Sequence, residues 1–208
     1  MQKRVGIFGG SFDPPHNGHL AIIKNAIIQL KLDTLFVVPN FLSPFKDAFY
    51  FTPNLRLGWL EQLKKSFENE NCTLIVLDFE VRQNAPTPTF KTLRYIQDSY
   101  DFGENALYFL LLGADNVESL PKWEQYSWLE KNVEFVIIPR NGYTIPKNYR
   151  VLEFQEILIS STQLRKMLEN GEGVALKDWI PNSILESVIK EANCKKIEKH
   201  SRKKSVKF

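Results

Sequence analysis

Four short apolar runs in this chain end on Gly or Pro, and the stretches between such runs repeat their apolar residues at helical spacing. The runs are Arg4 to Phe8 before Gly9-Gly10, Thr34 to Val38 before Pro39, Ala106 to Leu112 before Gly113, and Val133 to Ile138 before Pro139. A fifth run, Thr73 to Leu77, has no such stop. Between them, Leu20, Ile23, Ile27 and Leu30 fall on one helical face, and residues 55–67 and 89–100 show the same period. Strand-length runs without polar alternation are buried on both faces, which happens where helices cover both sides of a parallel sheet. The alternation therefore predicts an α/β fold, a doubly wound parallel sheet flanked by helices. In the last quarter Ile157 to Ile159 reads as a short strand, and Ser160 to Leu168 and Pro181 to Glu191 read as helices, a small C-terminal helical portion.

At 208 residues, 43% hydrophobic and 25% charged, the chain has the composition of a packed soluble domain, and disordered, collagenous and coiled-coil classes are excluded. No repeat or Pro/Gly-rich linker divides it, so residues 1–194 are expected to form one domain and 195–208 a basic, flexible tail. Cys72 and Cys194 lack metal-ligand spacing and form no disulfide framework, which fits a reducing cytoplasm. Gly9, Gly10, Ser11 and Asp13 break the first apolar stretch too early for a signal peptide, and Ala106 to Ala114 falls short of the ~20 residues of a membrane helix. The formal charge of +3 is uneven, because Lys190 to Phe208 carries eight Lys or Arg against two Glu. Such a terminus is either a solvated end or a contact for nucleic acid or anionic lipid. The body, net acidic, lacks the broad basic face of a nucleic-acid binder, so nucleic acid is not an expected partner and a membrane is none. The oligomeric state is open, a homo-oligomer included.

In Rossmann-like sheets ligands bind beyond the carboxyl ends of the strands, so chemistry is sought in the loops that follow them. The first reads Gly9-Gly10-Ser11-Phe12-Asp13-Pro14-Pro15-His16-Asn17-Gly18-His19. Two glycines allow close backbone approach, and the helix starting near Asn17 aims its dipole at the same place, an arrangement suited to an anion. His16 and His19, three apart on the first turn, can both reach that anion, while Gly18 removes the side chain between them. With an ordinary pKa near ~6.5, either imidazole could be cationic beside a polyphosphate. Later, Ser160, Ser161 and Thr162 are N-cap residue types with Arg165 one turn in, which reads either as capping alone or as a second anion site. Asp13 is better placed to brace the loop than to bind metal, and Asp115 after the Ala106 to Leu112 run accepts ribose hydroxyls or caps a helix.

The first loop resembles the GGxFDPxHxGH motif of the nucleotidyltransferase superfamily, and among its members it is most similar to the bacterial nicotinate mononucleotide adenylyltransferases. The resemblance runs in order over about residues 5–185: Pro39-Asn40 with Ser43-Pro44-Phe45-Lys46, Arg56-Leu57, Glu80, Thr89 and Thr92-Leu93, Gly113-Ala114-Asp115 with Leu120 and Trp123, Arg140 with Gly142, and Ile159 to Arg165 against ISSTxxR. Thr87 and Pro88 stand where the family's SYTxxTL has Ser and Tyr, and Phe45 where it often has His.

The resemblance implies transfer of AMP from ATP to nicotinate mononucleotide; the alternatives are the same chemistry on nicotinamide mononucleotide or phosphopantetheine, and a non-catalytic nucleotide- or RNA-binding protein. It implies that Gly10, Ser11 and Phe12 offer N–H groups to the ATP phosphates, that His16 and His19 act at the α- and β-phosphates, and that Ser161, Thr162 and Arg165 hold the pyrophosphate. Lys46 would add charge or remain solvated; Gly113 and Asp115 would serve adenosine. Asn40, Thr89, Trp123 and Arg140 would contact the pyridine nucleotide, Trp123 being equally readable as a core aromatic. With no clustered carboxylates in these loops, no protein metal site is expected, and Mg²⁺ would arrive on the ATP phosphates.

Overall fold

The computed structural model describes residues 2–43, 46–68, 71–153, 159–172 and 175–205, with side chains as far as residue 197. In chain order the strands are β1 (Arg4–Gly10), β2 (Thr34–Pro39), β3 (Thr73–Val76), β4 (Leu107–Gly113), β5 (Glu134–Ile138) and β6 (Arg150–Val151). The helices are α1 (Asn17–Leu30), α2 (Pro53–Lys64), α3 (Phe79–Arg82), α4 (Thr89–Ser99), α5 (Tyr126–Asn132), α6 (Ser161–Asn170) and α7 (Asn182–Ser205). Every strand pair is parallel, in the order β3-β2-β1-β4-β5-β6. This is the order of a Rossmann-type sheet, whose connection reverses direction between β1 and β4 and opens a crevice there.

Alternation along each strand divides the core between two faces. Phe8, Leu35 and Val37 pack with Ile23, Ala26, Ile27 and Leu30 of α1 and Leu60 of α2. Val5, Ile7, Phe36 and Val38 face the other way, onto Phe90, Leu93 and Ile96 of α4 and Leu129 of α5. A third apolar cluster joins Trp59 and Leu63 of α2 to Leu164 and Leu168 of α6 and to Ile184 and Val188 of α7. The C-terminal helical portion is thereby fixed beside the loops that follow β1 and β2.

Two expectations about extent change. The last helix does not end near Glu191 but continues through Ser205, into the segment expected as a tail, because no Gly or Pro interrupts a run rich in Lys and Glu, good helix formers. Lys195 lies 5.0 Å from the centre of the Tyr50 ring. The two-residue β6 was not expected, since an exposed edge strand carries no apolar signal. Of the strand expected at Ile157 to Ile159, the first two residues lie outside the described residues, as do Pro44 and Phe45 of the loop after β2 and residues 206–208 of the expected tail; Ile159 is not in a strand. Among the described residues no helix is long and apolar enough to cross a membrane.

Candidate active site

β1 delivers the chain to the crevice, and the loop behind it is held by buried contacts. Phe12 adopts a left-handed backbone, φ 47°, and buries its ring edge-on to Phe8 at 5.4 Å and against His19 at 4.8 Å. The Asp13 carboxylate, 2% exposed, accepts the main-chain N–H groups of Tyr50 (2.8 Å) and Phe51 (2.7 Å). Both of its oxygens are engaged in bracing.

At the start of α1 the His16 N–H donates to Nδ1 of His19 at 3.2 Å. A neutral imidazole accepting at Nδ1 carries its proton on Nε2, so His19 has an N–H donor to offer on its far edge. The two rings lie 3.8 Å apart, and Nδ1 of buried His16 has no hydrogen-bond partner among the described residues. Gly18 has a sharper role than its spacing suggests. A Cβ there would stand 2.9 Å from His16 Nδ1 and 3.0 Å from its Cε1, so the glycine vacates the space the His16 ring occupies. The first N–H of α1 is not free for a ligand, because Asn17 donates it to the Trp179 carbonyl at 2.8 Å.

The N-terminus of α6 is brought to the same place. Ser160 and Gln163 form a reciprocal capping box, while the Ser161 hydroxyl donates to the Pro14 carbonyl at 3.1 Å. Arg165 donates from Nη1 to the Asp13 carbonyl at 2.7 Å and from Nη2 to the Thr162 hydroxyl at 2.9 Å. On the other flank Lys46 Nζ donates to Ser11 Oγ at 3.1 Å, and Asn40 donates its main-chain N–H to Gly10 O at 2.9 Å with its own Oδ1 buried and unpartnered among the described residues. Beyond β4, Asp115 pairs with Arg140 at 3.2 Å, over Gly113, where a Cβ would collide with both side chains.

Electrostatics sets the charge of the pair in the absence of ligand. Burial, then Arg140, pulls the His16 pKa down to about 3. Burial, then His16, Arg140 and Lys46, holds His19 well below the usual imidazole range. Without ligand the pair is therefore neutral at pH 7, a pair of N–H donors rather than cations. Fixed positive charge comes instead from Arg56, Arg140, Arg165 and Lys46, the last with its pKa lowered by burial and then by Arg165. Four cations against Asp13 and Asp115 make a crevice that favours a polyanion.

Arg56 was read only as part of a motif, and the structure buries it at the centre of this arrangement. Its Nε donates to Phe51 O (3.2 Å), Nη1 to Ser11 O (2.5 Å) and Asn40 O (2.9 Å), and Nη2 to Phe41 O (2.8 Å). A signal for it existed: Trp59, Leu60 and Leu63 follow at helical spacing, so Arg56 lies on the buried stripe of α2. Thr89 and Trp123 belong to the α4 and α5 side of the sheet. Thr89 opens α4, whose Thr92 donates to buried Glu80 at 2.7 Å, and burial raises the Glu80 carboxyl to about 7. Trp123 is partly buried against the core on the α4 and α5 face.

The cytidylyltransferase-like family matches residues 7–167 of the chain. A probable nicotinate-nucleotide adenylyltransferase of Nitratiruptor sp. is 41% identical over 162 residues, 78% of this chain and 87% of that protein. One of the same name from Aliarcobacter butzleri is 40% identical over 188 residues, 89% and 95% of the two chains. The fold is also that of Plasmodium falciparum nicotinic acid mononucleotide adenylyltransferase complexed with NaAD, with a TM-score of 0.71 at 21% identity, covering 91% of this chain and 96% of the other.

Proposed function

Because the chain belongs to the cytidylyltransferase-like family, we propose that it is a nicotinate-nucleotide adenylyltransferase, which joins ATP and nicotinate mononucleotide into nicotinic acid adenine dinucleotide and pyrophosphate, a step of NAD biosynthesis. The observation that carries the reading is that relatives named probable nicotinate-nucleotide adenylyltransferase are 34–41% identical over 78–94% of this chain, while the family match, residues 7–167, includes both helix N-termini of the crevice.

A phosphate oxygen of nicotinate mononucleotide attacks the α-phosphorus of ATP; the bond from that phosphorus to the β-bridging oxygen breaks, and pyrophosphate leaves with the electron pair. No enzyme nucleophile is needed, so positioning and charge stabilisation do the work. Main-chain N–H groups of Gly10, Ser11 and Phe12, with Lys46, receive the triphosphate. His16 and His19 donate N–H groups to the α- and β-phosphates, where negative charge builds as the bridging bond breaks. Ser161, Thr162 and Arg165 hold the departing pyrophosphate, and the bonds of Ser161 to Pro14 and of Arg165 to Asp13 keep that group in register with the His pair. Gly113 and Asp115 serve the adenosine; Asn40, Thr89, Trp123 and Arg140 serve the pyridine nucleotide.

The chain's own carboxylates do not suit a metal cage. Both Asp13 oxygens accept main-chain N–H groups, Asp115 is paired with Arg140, and no cluster of three His, Cys, Asp or Glu occurs among the described residues. Mg²⁺ belongs to the substrate, carried on the ATP phosphates and neutralising part of their charge.

Pyrophosphate release from MgATP, measured with nicotinate mononucleotide, nicotinamide mononucleotide or phosphopantetheine in separate reactions, tests the reading. Release with the nicotinate substrate well above the other two is expected. Preference for another acceptor removes the substrate assignment, and silence with all three removes the reaction.

A further inference from the structure

Among the described residues no charged side chain is more completely buried than Arg56, 1% exposed. Its place is unfavourable by two ordinary criteria. It sits in the first turn of α2, where a cation opposes the helix dipole, and among the described residues it forms no ion pair within 4 Å, the Asp13 carboxylate favouring its charge only from further off. Helix stability therefore does not account for it. What it has instead is four carbonyl acceptors, from Ser11 in the loop after β1, Asn40 and Phe41 after β2, and Phe51 before α2.

The peptide unit is planar and trans, so its C=O and N–H point in opposite directions. A guanidinium that draws in the Ser11 carbonyl turns the Phe12 N–H away from itself. Drawing in the Asn40 and Phe41 carbonyls does the same to the N–H groups of Phe41 and Leu42. No described residue accepts from the N–H of Phe12, Phe41 or Leu42. Carbonyl oxygens at the mouth of the crevice would repel a polyphosphate, whereas outward N–H groups attract one, and successive N–H groups such as those of Phe41 and Leu42 form an anion-binding concavity. Lys46, on Ser11 Oγ, stands at the same mouth.

We propose that Arg56 is a positioning residue that turns the loops after β1 and β2 into a polyphosphate receptor, holding the carbonyls of Ser11, Asn40 and Phe41 inward so that the N–H groups of Phe12, Phe41 and Leu42 face the ligand. The role rests on the reading of this crevice as a nucleotide site, and it extends the main-chain phosphate contacts from the first loop to the second. Lysine in its place keeps the charge but is a compact donor on a flexible stem, which cannot span carbonyls on three segments. Methionine keeps the packing and loses both.

The test uses inorganic tripolyphosphate, so that no turnover is needed. Calorimetric affinity is compared for wild type, Arg56→Lys and Arg56→Met, each checked for a cooperative thermal transition. Both variants are expected to bind at least ~10-fold more weakly, the scale of losing a charge-assisted hydrogen bond. Affinity within twofold of wild type in Arg56→Lys overturns the proposal, because charge alone then suffices. If neither variant folds, the ¹⁵N-labelled wild type decides: tripolyphosphate should move the Phe12, Phe41 and Leu42 amide protons downfield, and unmoved amides overturn the role. Wild-type protein that shows these shifts yet releases no pyrophosphate with any acceptor supports the role of Arg56 while removing the reaction proposed above.

Discussion

Gly18→Ala should separate activity from stability. The added methyl would lie 2.9 Å from His16 Nδ1 and 3.0 Å from Cε1, and would meet Ile159 Cγ2 at an ordinary 3.7 Å. To restore a 3.4 Å contact the His16 ring must retreat by about 0.5 Å. Its other neighbour, the His19 ring, has its centre only 3.8 Å away, so the displacement is passed on to His19. A misplacement of ~1 Å costs ~100-fold in rate, so half that distance, shared by two groups, should lower turnover by about 10- to 100-fold. Stability moves much less. Alanine is favoured over glycine in a helix by about 1 kcal/mol, while overpacking costs about 1–3 kcal/mol. The net loss is then no more than about 2 kcal/mol, or a fall of up to ~8 °C in the unfolding midpoint. Pyrophosphate release and a thermal melt on the same preparation measure both. Turnover within twofold of wild type would refute the argument that Gly18 exists to seat the His16 ring.

Three further outcomes are expected. His16 titrates near 6.5 when unfolded and about 3 when folded, so the unfolded state takes up its proton first and stability should fall as pH drops below 6.5, by about 1.4 kcal/mol per unit. Urea unfolding of His16→Asn should show a shallower acid limb than wild type, and an identical limb would contradict the burial argument. Glu80 has the opposite sign: its carboxyl is raised to about 7, so its penalty on stability is absent below 4.5 and full above 7. Glu80→Gln should therefore be more stable than wild type by about 1–3 kcal/mol at pH 8 and near equal to it at pH 4.5, and an equal difference at both pH values would be the contrary result. Trp123→Ala should raise KM for nicotinate mononucleotide by about 5- to 100-fold, the range for losing a stacked aromatic, without moving KM for ATP; equal changes in both would return Trp123 to the core.

The sheet was legible because β1, β2, β4 and β5 are apolar runs stopped by Gly or Pro, and burial on both faces leaves no other reading of them. The paired histidines, Asp13 and the Ser160 to Arg165 segment were legible because loop, helix start and side chain are contiguous in sequence. What escaped depends on contacts between distant segments. Arg56 looks like a surface cation at a helix start until carbonyls from residues 11, 40 and 41 are folded around it. The neutrality of the His pair depends on burial and on Arg140, more than a hundred residues away. Asn17 loses its free N–H to Trp179, a partner that no local pattern announces.

Those long ties set an order of events during synthesis. The five longer strands are complete at Ile138, but the loop after β1 lacks its C-terminal partners until Ser161, Arg165 and Trp179 have been made. The 41 residues from Ile138 to Trp179 take roughly 2–8 s to add at about 5–20 residues per second. During that interval the loop after β1 has its contacts to Tyr50, Phe51 and Arg56 and lacks those to α6 and Trp179. A chain cut short before residue 160 therefore keeps the Arg56 contacts that join the first two loops and lacks the half of the crevice that α6 supplies.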